Sequence, residues 1–234
     1  MGKNISLITP EFRLSFVNLV TPKPYMENGK PRGEPYFSLE MLFDPEDMKS
    51  FKRWNEDTQS LINVDVAQMC VEAAKLAWPG IKVKEEFKVG VNWPIHDGDA
   101  WADMKEAAGK KNLDHYRGTK LIKAKTSQEI PPRLYLMENG ERTQLAQAIE
   151  VDANRAKQLF AGGNYAYAEL SCAGVVSGIK KYITFYVNSV VFTREGDRLG
   201  GSSLMDRFEG YKSQSADYDP TEGMDNDLDD EVPY

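Results

Sequence analysis

The chain has 234 residues, 41% of them hydrophobic and 28% charged, enough to bury a core and unlike a low-complexity chain. No apolar run nears the roughly 20 residues of a membrane span. The start Met1-Gly2-Lys3-Asn4 opens no secretion signal, and two cysteines with two histidines exclude a disulfide framework or zinc finger and fit a reducing cytoplasm. The net charge of −7 divides unevenly: the stretch through Lys212 holds 29 basic and 28 acidic residues, and eight acids with no base follow it.

Phe12 to Val17 alternates as a strand does, and the prolines and glycines of 21–33 predict a loop. Tyr36 to Phe43 is a second strand with Phe37, Leu39, Met41 and Phe43 on one face. Asp44-Pro45-Glu46-Asp47 is a helix start, and a helix is expected from about Pro45 to Trp78 with an interruption near 63–65. Its buried stripe would hold Met48, Phe51, Ile62, Val66, Met69 and Ala73. Residues 81–99 read as irregular, and Asp99 is placed to cap a short helix through about Ala108.

Thr119 to Thr126 is a strand, and Leu134 to Leu145 a hairpin around Asn139-Gly140. Asp152 should cap a helix that Gly162-Gly163 ends. Two strands close the body, Tyr165 to Val176 and Lys181 to Thr193. The order fits a mainly β fold with helical insertions, a five-stranded partly open OB barrel. The expected division is a barrel domain over 1–205, its helical insertion at about 45–113, and a disordered acidic tail over 206–234.

The last two strands carry the functional hint. Ala166, Ala168, Leu170 and Cys172 make a core face, with Tyr165, Tyr167, Glu169 and Ser171 opposite. Ile183, Phe185, Val187 and Val191 make the next, with Tyr182, Thr184, Tyr186 and Asn188 opposite. Tyrosines on the outer wall of a barrel can pack under loops or stack bases. Cations lie near: Arg117, Lys120, Lys123, Lys125 and Arg133 in one run, Lys23, Lys30 and Arg32 with Tyr25 and Tyr36 in the proline loop, and Lys180 with Lys181 before the last strand. Several such charges along a groove would neutralise phosphates.

Lys30-Pro31-Arg32-Gly33, Gly162-Gly163-Asn164-Tyr165 and the closing 187–201 run, from Val187-Asn188-Ser189 to Leu199-Gly200-Gly201, resemble the OB-fold single-stranded-DNA-binding proteins of tailed bacteriophages, over roughly residues 8–201. The end, Asp229-Asp230-Glu231-Val232-Pro233-Tyr234, is similar to the acidic tips of phage and bacterial single-strand-binding proteins, with Tyr234 where phenylalanine is usual. The resemblance implies a protein without catalysis or cofactor that acts in phage DNA replication, recombination and repair in the cytoplasm of the infected bacterium. It also implies that the tail recruits replication proteins. A monomer is expected, with cooperativity along DNA left open, and no membrane partner.

Two alternatives compete. His96, Asp97, Asp99 and Asp103 could hold a metal for nuclease chemistry, against a plain reading as a polar loop and helix cap. The chain could also be a protein-interaction module acting through its tail alone.

Overall fold

A computed structural model describes residues 4–27, 29–82, 91–138, 141–145, 149–177 and 179–199. The strands are β1 (Ile5–Ile8), β2 (Phe12–Glu27), β3 (Lys30–Phe43), β4 (Phe51–Asn55), β5 (Ser60–Val64), β6 (Val91–Asn92), β7 (Ile95–Asp97), β8 (Lys120–Ser127), β9 (Arg133–Glu138), β10 (Glu141–Gln144), β11 (Tyr165–Ser177) and β12 (Lys180–Arg194). Three α-helices interrupt them: α1 (Val66–Ala77), α2 (Gly98–Ala107) and α3 (Ile149–Leu159). The fold is mainly β, as expected, but the described residues hold twelve strands in one sheet rather than five.

Five of the twelve pair around a ring. β2 pairs with β3, β3 with β8, β8 with β12, β12 with β11, and β11 returns to β2. The inside of this ring is the core. Phe37, Leu39, Met41 and Phe43 are buried there, as alternation requires, and so are Ala166, Ala168, Leu170 and Cys172. Phe12, Phe43 and Phe51 stack in sequence with ring centroids 5.4 and 5.3 Å apart. Cys70 of α1 and Cys172 of β11 are free, buried thiols whose sulfurs lie 4.0 Å apart, and burial pushes the Cys70 thiol up.

Several expectations are corrected. The helix expected over 45–78 is a 3-10 turn (Pro45–Lys49), the hairpin β4–β5, and only then α1. Asn55 makes the hairpin turn by accepting the backbone N–H groups of Asp57 and Thr58 at 2.8 and 3.2 Å. The expected interruption at 63–65 is where α1 starts, with Asp65 as its cap. Val66, Met69 and Ala73 are buried as the stripe predicts, whereas Ile62 is exposed on β5.

The expected loop at 21–33 is a two-stranded ribbon, the continuation of β2 and β3. Prolines are compatible with strands of this kind where no ladder bond needs their missing N–H. Residues 91–97 of the irregular stretch add the short β6 and β7. Asp97, not Asp99, caps α2, accepting the Ala100 N–H at 3.1 Å. α3 begins before Asp152. In β12 the register slips at Asn188, so Val190 and Phe192 are buried in place of Val191. The hairpin expected at 134–145 is β9–β10, its turn at 139–140 lying outside the described residues.

The short motif Gly163-Asn164 is a latch inside the fold. Gly163 has φ +107°, and a Cβ there would overlap the carbonyl of Asp197. Asn164 donates to the Gln158 and Leu159 carbonyls at the end of α3 and accepts the Gly196 N–H at 3.1 Å.

Candidate nucleic-acid interface

The outer face of the β3–β8–β12 wall has two zones. At one end α2 and the turn Asp114–Tyr116 cover it, and Leu42, Ala102, Leu113, Tyr116 and Leu121 form a second small core. Beyond this lid the wall is open, and a groove of about 640 Å3 runs over it. Tyr36 and Ser38 of β3, Lys123 and Lys125 of β8, and Tyr182 and Thr184 of β12 line its floor. Their positions follow from strand alternation, since the neighbours Leu39, Ala124 and Ile183 point into the core. Lys105 near the end of α2, with Lys110 and Lys111 just beyond it, adds three cations at the rim.

Phe16 stands at the same groove. Alternation would bury it with Phe12 and Leu14. A bulge between Ser15 and Asn18 instead turns its backbone to φ 43°, and the ring is 67% exposed. A bulky residue held at positive φ with its ring in solvent is costly and typical of functional sites.

The ribbon extends β2 and β3 beyond the groove, and Lys23 on it lines a separate depression with Val20, Lys157 and Phe160. Register pairs Ser38 with Lys125, Lys23 with Tyr36, and Tyr25 with Arg32. Directly opposed residues share one face, so each step outward sets a cation beside an aromatic ring or a hydroxyl. Tyr25, near the ribbon's far end, is 56% exposed.

One acid sits in the floor. Glu40 Oε2 accepts the Tyr116 hydroxyl at 2.8 Å, and its Oε1 meets Lys123 Nζ at 2.8 Å. Lys123 Nζ also lies 3.8 Å from the Trp101 ring centroid. Burial, with the Glu40 carboxylate beside it, keeps the Tyr116 phenol far above the ordinary range. His96, in the groove lining and 5.1 Å ring to ring from Trp101, is held below the usual histidine value by burial and then by Lys123.

The remaining expected residues lie elsewhere. Arg117 is paired with Asp103 at 2.6 Å and Glu106 at 3.0 Å, which hold its guanidinium charged. Lys120 is paired with Asp97 at 2.7 Å, and that bond, with the Ala100 N–H, lowers the Asp97 carboxyl. Tyr165 carries the Arg194 guanidinium 3.4 Å over its ring. Tyr167 lines a different depression with Ile8, Pro10 and Lys52. Lys180 is exposed at the start of β12, and Lys181 reaches over Trp78 at 5.6 Å. Tyr186 shares the outer face with Tyr182. Arg133 lies 4.0 Å from Glu169. The tail residues Asp229, Asp230, Glu231, Val232, Pro233 and Tyr234 lie outside the described residues.

The acids weighed as a metal site are dispersed. Asp97 caps α2, Asp99 Oδ1 accepts the Gly118 N–H at 3.2 Å, and Asp103 holds Arg117. Among the described residues no three His, Cys, Asp or Glu side chains converge on a cation. No described helix is long and apolar enough to cross a membrane.

A family model described as "Enterobacter phage Enc34, ssDNA-binding protein" matches residues 5–219. The chain belongs to this family. Two solved structures of the bacteriophage Enc34 single-stranded DNA-binding protein share the fold. The complex with single-stranded DNA superposes with a TM-score of 0.53 at 18% identity, covering 83% of this chain and 89% of that one. The C-terminal truncation gives 0.54 at 15% identity, over 83% and 88%. No curated protein matches the chain in a sequence search. At these identities the structures speak for the fold alone, and the family match carries the membership.

Phe16, Lys105, Lys110, Lys111 and Glu40 are groove residues that pattern reading passed over. Lys110-Lys111 after Gly109 was legible as a cation pair on a loop. Phe16 left no such signal, because its bulge is a property of pairing with β3.

Proposed function

We propose that the chain binds single-stranded DNA through the groove and ribbon, without strong overall sequence preference, on an OB-type barrel made by the ring β2–β3–β8–β12–β11. The observation that carries the reading is the groove itself, where Phe16, Tyr36 and Tyr182 stand among Lys105, Lys110, Lys111, Lys123 and Lys125, with the cross-strand pairs Lys23–Tyr36 and Tyr25–Arg32 beyond it on the ribbon. Family membership supports it. Lys125 and the rim lysines Lys105, Lys110 and Lys111 take the phosphates, while Phe16, Tyr36, Tyr182 and Tyr25 offer faces to bases, each stacked base contributing about 1–3 kcal/mol. Duplex DNA hides those faces, so the groove prefers single strands.

The role is protection of single strands in phage DNA replication, recombination and repair inside the infected cell, without catalysis. The acidic tail recruits replication proteins through Asp229 to Tyr234, and in the absence of DNA it occupies the groove. The test is fluorescence anisotropy with a labelled strand of about thirty nucleotides, long enough for the roughly 4–16 that one such barrel covers, against its duplex. Expected is strand-selective binding with a log–log salt slope of about −3, as for about four phosphates neutralised, or roughly fiftyfold weakening between 50 and 200 mM salt. Equal affinity for the duplex, or no salt dependence, overturns the reading.

A further inference from the structure

Glu40 is out of place in a surface that collects phosphates. Its carboxylate lies on the groove floor against Lys123 of β8, with 15% of the side chain exposed. A carboxylate repels a phosphate, so the part of the strand that passes over it is the base.

We propose that Glu40 and Lys123 together read the Watson–Crick edge of guanine at one position of the bound strand; this rests on the single-strand reading above. The chemistry is set by what each group has left. Each carboxylate oxygen can accept two hydrogen bonds. Oε1 has spent one on Lys123 and Oε2 one on Tyr116, so each oxygen keeps one lone pair. Lys123 has three donors, of which Glu40 takes one and the face of the Trp101 ring a second. The pair therefore presents one donor beside two acceptors.

Guanine presents the complement: O6 accepts, while N1–H and the N2 amino group both donate. Thymine has one donor between two carbonyls, which face the carboxylate with like polarity. Cytosine and adenine each offer a single amino donor. The edge is exposed only in a single strand, because pairing occupies it in a duplex. The groove supplies rings on which the base can rest, Phe16 and Tyr36 among the lining residues. Tyr116, anchored in the second core, fixes the carboxylate so that it need not be ordered on binding. The preference belongs to one base position and leaves the rest of the strand to stacking and charge.

The test uses the full chain and three labelled thymine oligomers of equal length. One carries isolated guanines, one carries inosines at the same positions, and one is thymine throughout. Inosine keeps O6, N1–H and the ring system but lacks the N2 amino group. Expected is binding of the guanine oligomer about fivefold or more tighter than the inosine oligomer, the lower end for a bidentate base contact. In Glu40→Gln the difference falls below about twofold. In Glu40→Asp, which keeps the charge but retracts the carboxylate, it falls likewise. Equal affinity for guanine and inosine in the unmodified chain overturns the proposal without involving any variant. So does a difference that survives in Glu40→Gln. Failure of all three oligomers to bind overturns the single-strand reading itself, a result distinct from loss of the guanine preference.

Discussion

Phe16 separates folding from binding better than any other side chain in the groove. Its positive φ works against the fold, and its exposed ring gives little core burial in return. Phe16→Gly should therefore raise stability by about 0.5–1 kcal/mol, since glycine adopts that backbone without strain. The same change should weaken single-strand affinity by about 1–3 kcal/mol through the lost stack. Urea unfolding and anisotropy on one preparation read both, and a loss of stability with unchanged affinity would place Phe16 in the core rather than the interface. Lys125→Ala should lower affinity and make the salt slope shallower by about 0.7, one phosphate's share for a single strand. Arg117→Ala should leave that slope unchanged, because Asp103 and Glu106 already engage the guanidinium. Gly163→Ala should cost more than about 1 kcal/mol in urea unfolding, since its φ of +107° and the nearby Asp197 carbonyl admit no side chain. Part of the sequence that most resembled a known family, Gly163-Asn164, thus serves as a packing latch.

Among the elements, legibility followed how local the causes are. The inward faces of β3, of β11 and of β12 as far as Val187 were readable because alternation is written within each strand, and the end of α1 near Trp78 because the Pro79-Gly80 that follows it acts on its neighbours. The stretch from Pro45 to Val64 was not. Its first turn carries a helix start, and nothing local tells that Phe51 to Asn55 will pair with Ser60 to Val64 and dock on β1. The ribbon was hidden for the opposite reason. Its prolines and glycines are loop residues by composition, and only pairing across Tyr25–Arg32 and Lys23–Tyr36 makes it a strand pair. That pairing also supplied half of the candidate interface, whose cations and tyrosines were named from sequence without the face they share. The double change Tyr25→Ser with Arg32→Ser tests the ribbon's part. It should shorten the occluded length measured by strand-saturation titration and weaken affinity, since both residues are exposed on the arm.

Charge and protonation act over the entire chain. His96 and His115 are both held below the ordinary histidine value, chiefly by burial. Between their folded values and about 6.5 the unfolded chain binds more protons, so stability rises with pH through that window. It should be complete above about pH 6.5 and be lost progressively as the pH falls below it. Urea midpoints across this range check the sign, and a midpoint that improves on acidification would contradict it. Removing residues 213–234 takes away eight acids and one tether. If the tail competes for the groove, the shortened chain should bind single strands more tightly at low salt, and the gain should vanish at high salt. An unchanged affinity would remove the groove-shielding role and leave recruitment. The ribbon has a last consequence, for size. β2 and β3 serve as barrel wall near Ser15 and Glu40 and as an arm from Lys23 outward, so the arm can change length without disturbing a single core contact. Each residue pair added to it extends the track by about 3.4 Å. The footprint on DNA is then a ruler cut by hairpin length, which relatives could lengthen or trim while the barrel beneath stays the same.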